Sequence, residues 1–123
     1  MSAPGISGHF KNTVPLYERI KKCDELRNKY PNRIPCICER AKNANIAVLN
    51  NVQLLLPDDS SVSQLIFIIM RNLDLSETSS LFFVVDNKFS ISGNQTMREI
   101  YSRHCDPEDK FLYISYAIED VWG

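Results

Sequence analysis

The chain has no surplus of charge. Fourteen Lys and Arg stand against fifteen Asp and Glu, a net charge of −1 across 123 residues. A nucleic-acid binder is expected to carry a basic excess, so the balance points away from that class. Long hydrophobic runs are also missing. The longest is Leu65–Met70, far short of the roughly 20 residues a spanning helix needs. Met1–Gly8 has neither a basic region nor an apolar stretch, so it does not read as an export signal. Ser2 rather than Gly follows the first residue, so the myristoylation pattern is absent. There is no glycine-rich phosphate loop, no HExxH, no nucleophile elbow and no CxxC pair. What is present is 44% hydrophobic and 24% charged, the composition of a globular chain. Its length suits one domain with one core.

The four cysteines, Cys23, Cys36, Cys38 and Cys105, are expected to stay reduced in a chain without an export signal. Cys36, Cys38, His104 and Cys105 offer four zinc-type ligands, but the pair has one residue between the cysteines where structural zinc pairs usually have two to four. Buried core thiols are the preferred reading of Cys36 and Cys38. His104 and Cys105 are adjacent, and neighbours in an extended turn point apart, so a nucleophile pair is disfavoured against a solvated turn. No metal, cofactor or catalytic residue is assigned.

The periodicities give an order of elements. His9–Val14 reads as a short helical turn ended by Pro15. Leu16, Ile20, Cys23, Leu26 and Tyr30 recur at helical steps until Pro31 stops the helix. Ile34–Arg40 alternates as a strand, with Cys36 and Cys38 on one face and Ile37 on the other. Val52–Leu56 is a second strand whose consecutive leucines predict apolar neighbours on both faces. Ser61 to Gln64 is a capping box opening a helix. Val62, Leu65, Ile66, Ile69, Met70 and Leu73 make its stripe, with Phe67 and Ile68 off centre. Leu81–Val85 and Lys88–Ile91 read as strands joined by a tight turn, Met97–Arg103 as a short helix, and Phe111–Ala117 as a final alternating strand. The pattern is α+β, with one long internal helix lying across a mixed sheet. A terminal glycine follows, and its carboxylate has no Cβ beside it to obstruct a narrow cleft.

The run Tyr30-Pro-Asn-Arg-Ile-Pro-Cys-Ile-Cys-Glu-Arg40 resembles the signature YPxRxPVIxE of the autophagy ubiquitin-like modifiers. The likeness is to their lipid-conjugated branch, the GABA-receptor-associated-protein and light-chain-three group. Leu55-Leu-Pro-Asp58, Leu81-Phe-Phe-Val-Val-Asp-Asn87, Phe111-Leu-Tyr-Ile-Ser-Tyr-Ala117 and the final Trp122-Gly123 resemble the same family in the same order. The resemblance covers His9 to Gly123. It implies a ubiquitin-like β-grasp fold with two added N-terminal helices. The expected division is a flexible segment 1–8, a helical subdomain 9–31, a β-grasp core 32–117 and a conjugation tail 118–123.

The resemblance also implies a function. The protein is expected to be a substrate of enzymes rather than an enzyme. An activating enzyme adenylates the Gly123 carboxylate and takes it as a thioester, and a conjugating enzyme passes it to the amine of phosphatidylethanolamine. A processing cysteine protease acts on family precursors that extend beyond this glycine. The free form is expected to be a cytoplasmic monomer, and the lipidated form to sit on autophagosome membrane. Receptor peptides of the form aromatic-x-x-aliphatic are expected to add a strand to the sheet edge. The aromatic pocket falls on Leu26, Pro35, Ile37, Leu55 and Phe111. The aliphatic pocket falls on Leu54, Leu56, Pro57, Leu65 and Ile68. Contacts to acidic flanks fall on Lys22, Arg33 and Gln53. Gln53 stands where the family often has lysine, Asn72 replaces a basic residue, and Lys22 stands where an acidic one is common. A reduced preference for acidic flanks is therefore expected. The alternatives are the protein-conjugated autophagy modifier and a β-grasp peptide-binding domain that is never conjugated.

Overall fold

Pro15 decides where the N-terminal helices divide. Its ring fixes φ at −64° and its extended ψ of 155° starts a new helix. Before it lies α1 (His9–Thr13), and after it α2 (Leu16–Lys29). A computed structural model describes residues 9–42, 44–75, 80–86 and 88–118. The segment 1–8 and residues 119–123, among them Gly123, the residue expected to be conjugated, lie outside the described residues.

Helix α2 turns a different face inward from the one its apolar periodicity predicts. Cys23 is fully buried and Leu26 half-buried, but Leu16, Ile20 and Tyr30 are exposed. The third inward position is Arg19, only 9% exposed. The rotation has a physical cause: the Arg19 guanidinium meets a buried carboxylate, Asp109, at 2.9 Å. Hydrophobic spacing alone cannot register that partner.

The remaining elements match their sequence signals. Strand β1 (Arg33–Arg40) pairs antiparallel with β2 (Gln53–Pro57). Helix α3 (Val62–Asn72) opens on a complete capping box. Gln64 N–H donates to Ser61 Oγ at 3.3 Å, and Ser61 N–H donates to Gln64 Oε1 at 2.8 Å. Strands β3 (Phe82–Val85) and β4 (Phe89–Ile91) form a hairpin. Helix α4 (Met97–His104) opens on a second capping box, Thr96 with Glu99, the same pattern as Ser61 with Gln64. Strand β5 (Leu112–Ala117) pairs parallel with β1 and antiparallel with β3. The sheet order is β2-β1-β5-β3-β4.

This mixed sheet has a core on each face. On one, Ile34, Cys36 and Cys38 of β1 and Leu112, Ile114 and Tyr116 of β5 pack with α3 and α4. On the other, Ile37 and Phe111 pack with Phe10 of α1 and Cys23 and Leu26 of α2. Alternation along β1 and β5 produces both, since successive side chains point to opposite faces. The architecture is α+β, as expected. Among the described residues no strand pairs with the outer side of β2, so one edge of the sheet stays open. No described helix is long and apolar enough to cross a membrane.

Candidate functional site

The open edge is defined by hydrogen-bond parity. In an antiparallel pair, residues alternate between bonding the partner strand and pointing away from it. Cys38 N–H bonds Val52 C=O at 2.8 Å, and Asp58 N–H bonds Asn32 C=O at 3.0 Å. The register pairs Cys36 with Leu54 and Ile34 with Leu56 between these two points. Val52, Leu54 and Leu56 therefore bond β1, while Gln53, Leu55 and Pro57 turn their backbone groups outward.

The same alternation sorts the side chains. Leu55 and Gln53 share a face with Pro35 and Ile37, on the α2 side. Leu54 and Leu56 share a face with Cys36 and Ile34, on the α3 side. Apolar surface thus flanks the open edge above and below.

Between α2 and the β2 edge lies a cleft of about 350 Å3 lined by Leu26, Cys36, Asn51, Gln53, Leu54, Leu55 and Phe111. Three of the five residues expected in an aromatic pocket meet here: Leu26, Leu55 and Phe111. Ile37 is fully buried in the cluster containing Phe111 and Leu26, so it supports the floor without reaching the surface. Pro35 instead lines a neighbouring cleft of about 460 Å3 with Asp24, Arg27, Asn28, Pro31, Arg33, Ile34 and Tyr101. Asn51 was not anticipated in the cleft, because the polar stretch before β2 carries no hydrophobic signal.

On the α3 side, Leu56 and Leu65 are core residues, while Leu54 and Ile68 pack against that core and keep part of their surface. Pro57 is exposed. The expected aliphatic pocket thus divides into a buried floor and an accessible rim. Of the expected charged contacts, Lys22 is exposed on α2 one turn before Leu26. Arg33 Nη1 donates to Leu55 C=O at 3.3 Å. Gln53 is half-buried on the edge strand, and its N–H donates to Asn51 Oδ1 at 3.1 Å.

A buried polar cluster holds α2 against the cleft floor. Asp109 accepts from Arg19 Nε at 2.9 Å, from Phe111 N–H at 2.9 Å and from the Tyr113 hydroxyl at 2.5 Å. Arg19 also donates Nη1 to Val14 C=O at 2.6 Å and to Lys11 C=O at 3.1 Å. One carboxylate thus fixes the helix carrying Leu26 and the backbone of Phe111. Burial, with the Asp109 bond second, pushes the Tyr113 hydroxyl well above its ordinary range. Burial likewise pushes the Cys23 thiol up to about 12 and raises Cys36 and Cys38. Thiols held protonated in this way are poor nucleophiles and poor metal ligands. Cys36 and Cys38 are fully buried, the core role expected of them.

A family model described as "Autophagy protein Atg8 ubiquitin like" matches residues 18–123. Autophagy-related protein 8 of Mycosarcoma maydis and that of Aspergillus niger are each 35% identical over 114 residues, covering 93% of this chain and 95% of theirs. The solved structure of Trypanosoma brucei ATG8 superposes with a TM-score of 0.82 at 26% identity, covering 95% of both chains.

Proposed function

Because this chain belongs to the Atg8 family of ubiquitin-like autophagy proteins, we propose that it is conjugated through Gly123 to phosphatidylethanolamine and captures autophagy receptors on the β2 edge. The fold is ubiquitin-like. Members of the family are modifiers rather than enzymes, so this chain's chemistry is done to it by others.

In the proposed sequence, the Gly123 carboxylate attacks ATP to give an acyl adenylate and pyrophosphate. A cysteine of the activating enzyme displaces AMP to form a thioester. After transfer to the conjugating enzyme, the lipid amine attacks the thioester, an amide forms and the thiol leaves. Glycine suits each step because no Cβ hinders the carbonyl. The family match running to residue 123 supports the assignment. In this reading a cysteine protease processes any longer precursor. The free protein is cytoplasmic, and the lipidated form sits on the autophagosome membrane.

The observation that carries receptor capture is the pair of apolar surfaces on opposite faces of one open edge strand. A docked peptide is itself a strand, so residues three apart point to opposite faces. An aromatic anchor at one position enters the cleft beside Leu26, Leu55 and Phe111, over Ile37. An aliphatic anchor three residues later covers Leu54 and Ile68, over Leu56 and Leu65. Backbone bonds to β2 supply affinity and the two surfaces supply selectivity. Lys22, Arg33 and Gln53 border the path of the flanking residues, and the neutral Gln53 offers an acidic flank no ion pair. Pro35 belongs to the neighbouring cleft and is left out of the aromatic contact set.

Expressing Gly123→Ala in cells tests the conjugation. The wild type is expected to yield a membrane-bound, phospholipase-sensitive form that the variant loses. Loss of a large protein adduct instead would assign the chain to protein conjugation. Identical behaviour of the two would leave a peptide-binding domain that is never conjugated.

A further inference from the structure

The open edge of β2 is open only in part. Of its outward backbone groups, Gln53 N–H is held by the Asn51 side chain and Leu55 C=O by the Arg33 guanidinium. Pro57 has no N–H to offer, and its C=O accepts from Ser60 N–H at 3.0 Å and Ser60 Oγ at 2.6 Å. Gln53 C=O and Leu55 N–H are left without a partner among the described residues. We propose that Asn51 and Arg33 are edge guards: their side chains occupy the two β2 groups that an incoming strand must take over, and so they set which peptides dock and how tightly. The proposal rests on the reading of β2 as the receptor edge.

The pattern of open and guarded groups has a definite consequence. A strand running alongside β2 in the same direction places one residue opposite Leu54. That residue donates to Gln53 C=O and accepts from Leu55 N–H, the two free groups. It docks without displacing anything. The residue two positions later must donate to Leu55 C=O, which requires Arg33 to leave. The residue two positions earlier must accept from Gln53 N–H, which requires Asn51 to leave. Docking therefore begins at one residue and extends by exchange in both directions. The guards also suppress edge-to-edge pairing between copies, the ordinary hazard of an unpaired strand.

Arg33 has a second part. Released from Leu55, its guanidinium is free to pair with a carboxylate on the peptide. An acidic flank thus offsets the cost of displacement and a neutral flank does not. Asn51 offers no such return, so its removal helps every peptide.

The test is calorimetry on the full chain with two aromatic-x-x-aliphatic peptides, one acidic-flanked and one neutral-flanked. Asn51→Ala is expected to tighten both by about two- to tenfold, the range of a single exchanged hydrogen bond. Arg33→Met is expected to tighten the neutral peptide and weaken the acidic one. An N-methyl scan of the neutral peptide should abolish the Arg33→Met gain at one position only. Amide exchange gives an independent readout without peptide: Gln53 N–H should exchange faster in Asn51→Ala, while core amides of β1 stay protected and report an intact fold. The proposal is overturned if neither variant tightens the neutral peptide, or if Gln53 exchange is unchanged. If the wild type binds neither peptide, the reading of β2 as a receptor edge fails and the guard proposal falls with it.

Discussion

Asp109→Ala would remove the carboxylate that joins α2 to the floor of the cleft. The side chain of Asp109 is fully buried and that of Arg19 is 10% exposed, so solvent does little to screen them. The substitution leaves Arg19 buried with only the Val14 and Lys11 carbonyls. It also strips a partner from Phe111 N–H and from the Tyr113 hydroxyl. Removing one partner of a buried pair typically costs about 3–5 kcal/mol. Against a total of about 5–15 kcal/mol for a domain, that is a large fraction. The expected fall in Tm is roughly 10–20 °C for a chain of this length. Differential scanning calorimetry measures it. The double variant Arg19→Met with Asp109→Leu should recover part of the loss, because it no longer buries an uncompensated charge. A loss below about 1 kcal/mol for Asp109→Ala, the range of an exposed pair, would refute the claim that this cluster pins α1 and α2.

Leu55→Ala should weaken binding of an aromatic-x-x-aliphatic peptide about tenfold or more, with far less loss of stability than Phe111→Ala, whose ring is fully buried; titration calorimetry paired with thermal melts separates the two. Cys105 is the half-exposed thiol of the four, while Cys23, Cys36 and Cys38 are buried. A thiol reagent should therefore modify Cys105 in the native protein and reach the other three only after unfolding. Burial holds the Cys23 thiol and the Tyr116 hydroxyl up to about 12, against ordinary values of 9.0 and 10.0. Because the folded values exceed the unfolded ones, their contribution to stability is fully present below about pH 9 and is lost as pH rises from there through 12. Urea midpoints should fall over that interval, and a rise would contradict the assignment.

Local signals carried most of the fold. The alternation of Cys36, Ile37 and Cys38 divides the two cores because a strand has period two and both faces are covered. The box from Ser61 to Gln64 marks the start of α3 because the helix ends need partners wherever they lie. Phe111 is placed by the Leu-Tyr that follows it, and it does sit at the cleft. What stayed hidden depended on distant partners. Arg19 reads as a solvent-facing cation until Asp109, ninety residues away, turns it inward and leaves Leu16 and Ile20 exposed. Pro35 shares a face with Leu55, yet the geometry around Asp24 and Arg27 draws it into the neighbouring cleft. Asn51 and Arg33 look like ordinary polar flanks, since outward backbone groups become visible only once the register of β2 on β1 is fixed.

The most direct measurement of receptor capture is a titration of the isotope-labelled chain with an aromatic-x-x-aliphatic peptide, read by amide chemical shifts. The account predicts that Gln53 and Leu55 move most, accompanied by Leu26 and Phe111 on one face and Leu54 and Ile68 on the other. Shifts confined to the opposite edge at Phe89–Ile91, or to one face of β2 alone, would contradict it.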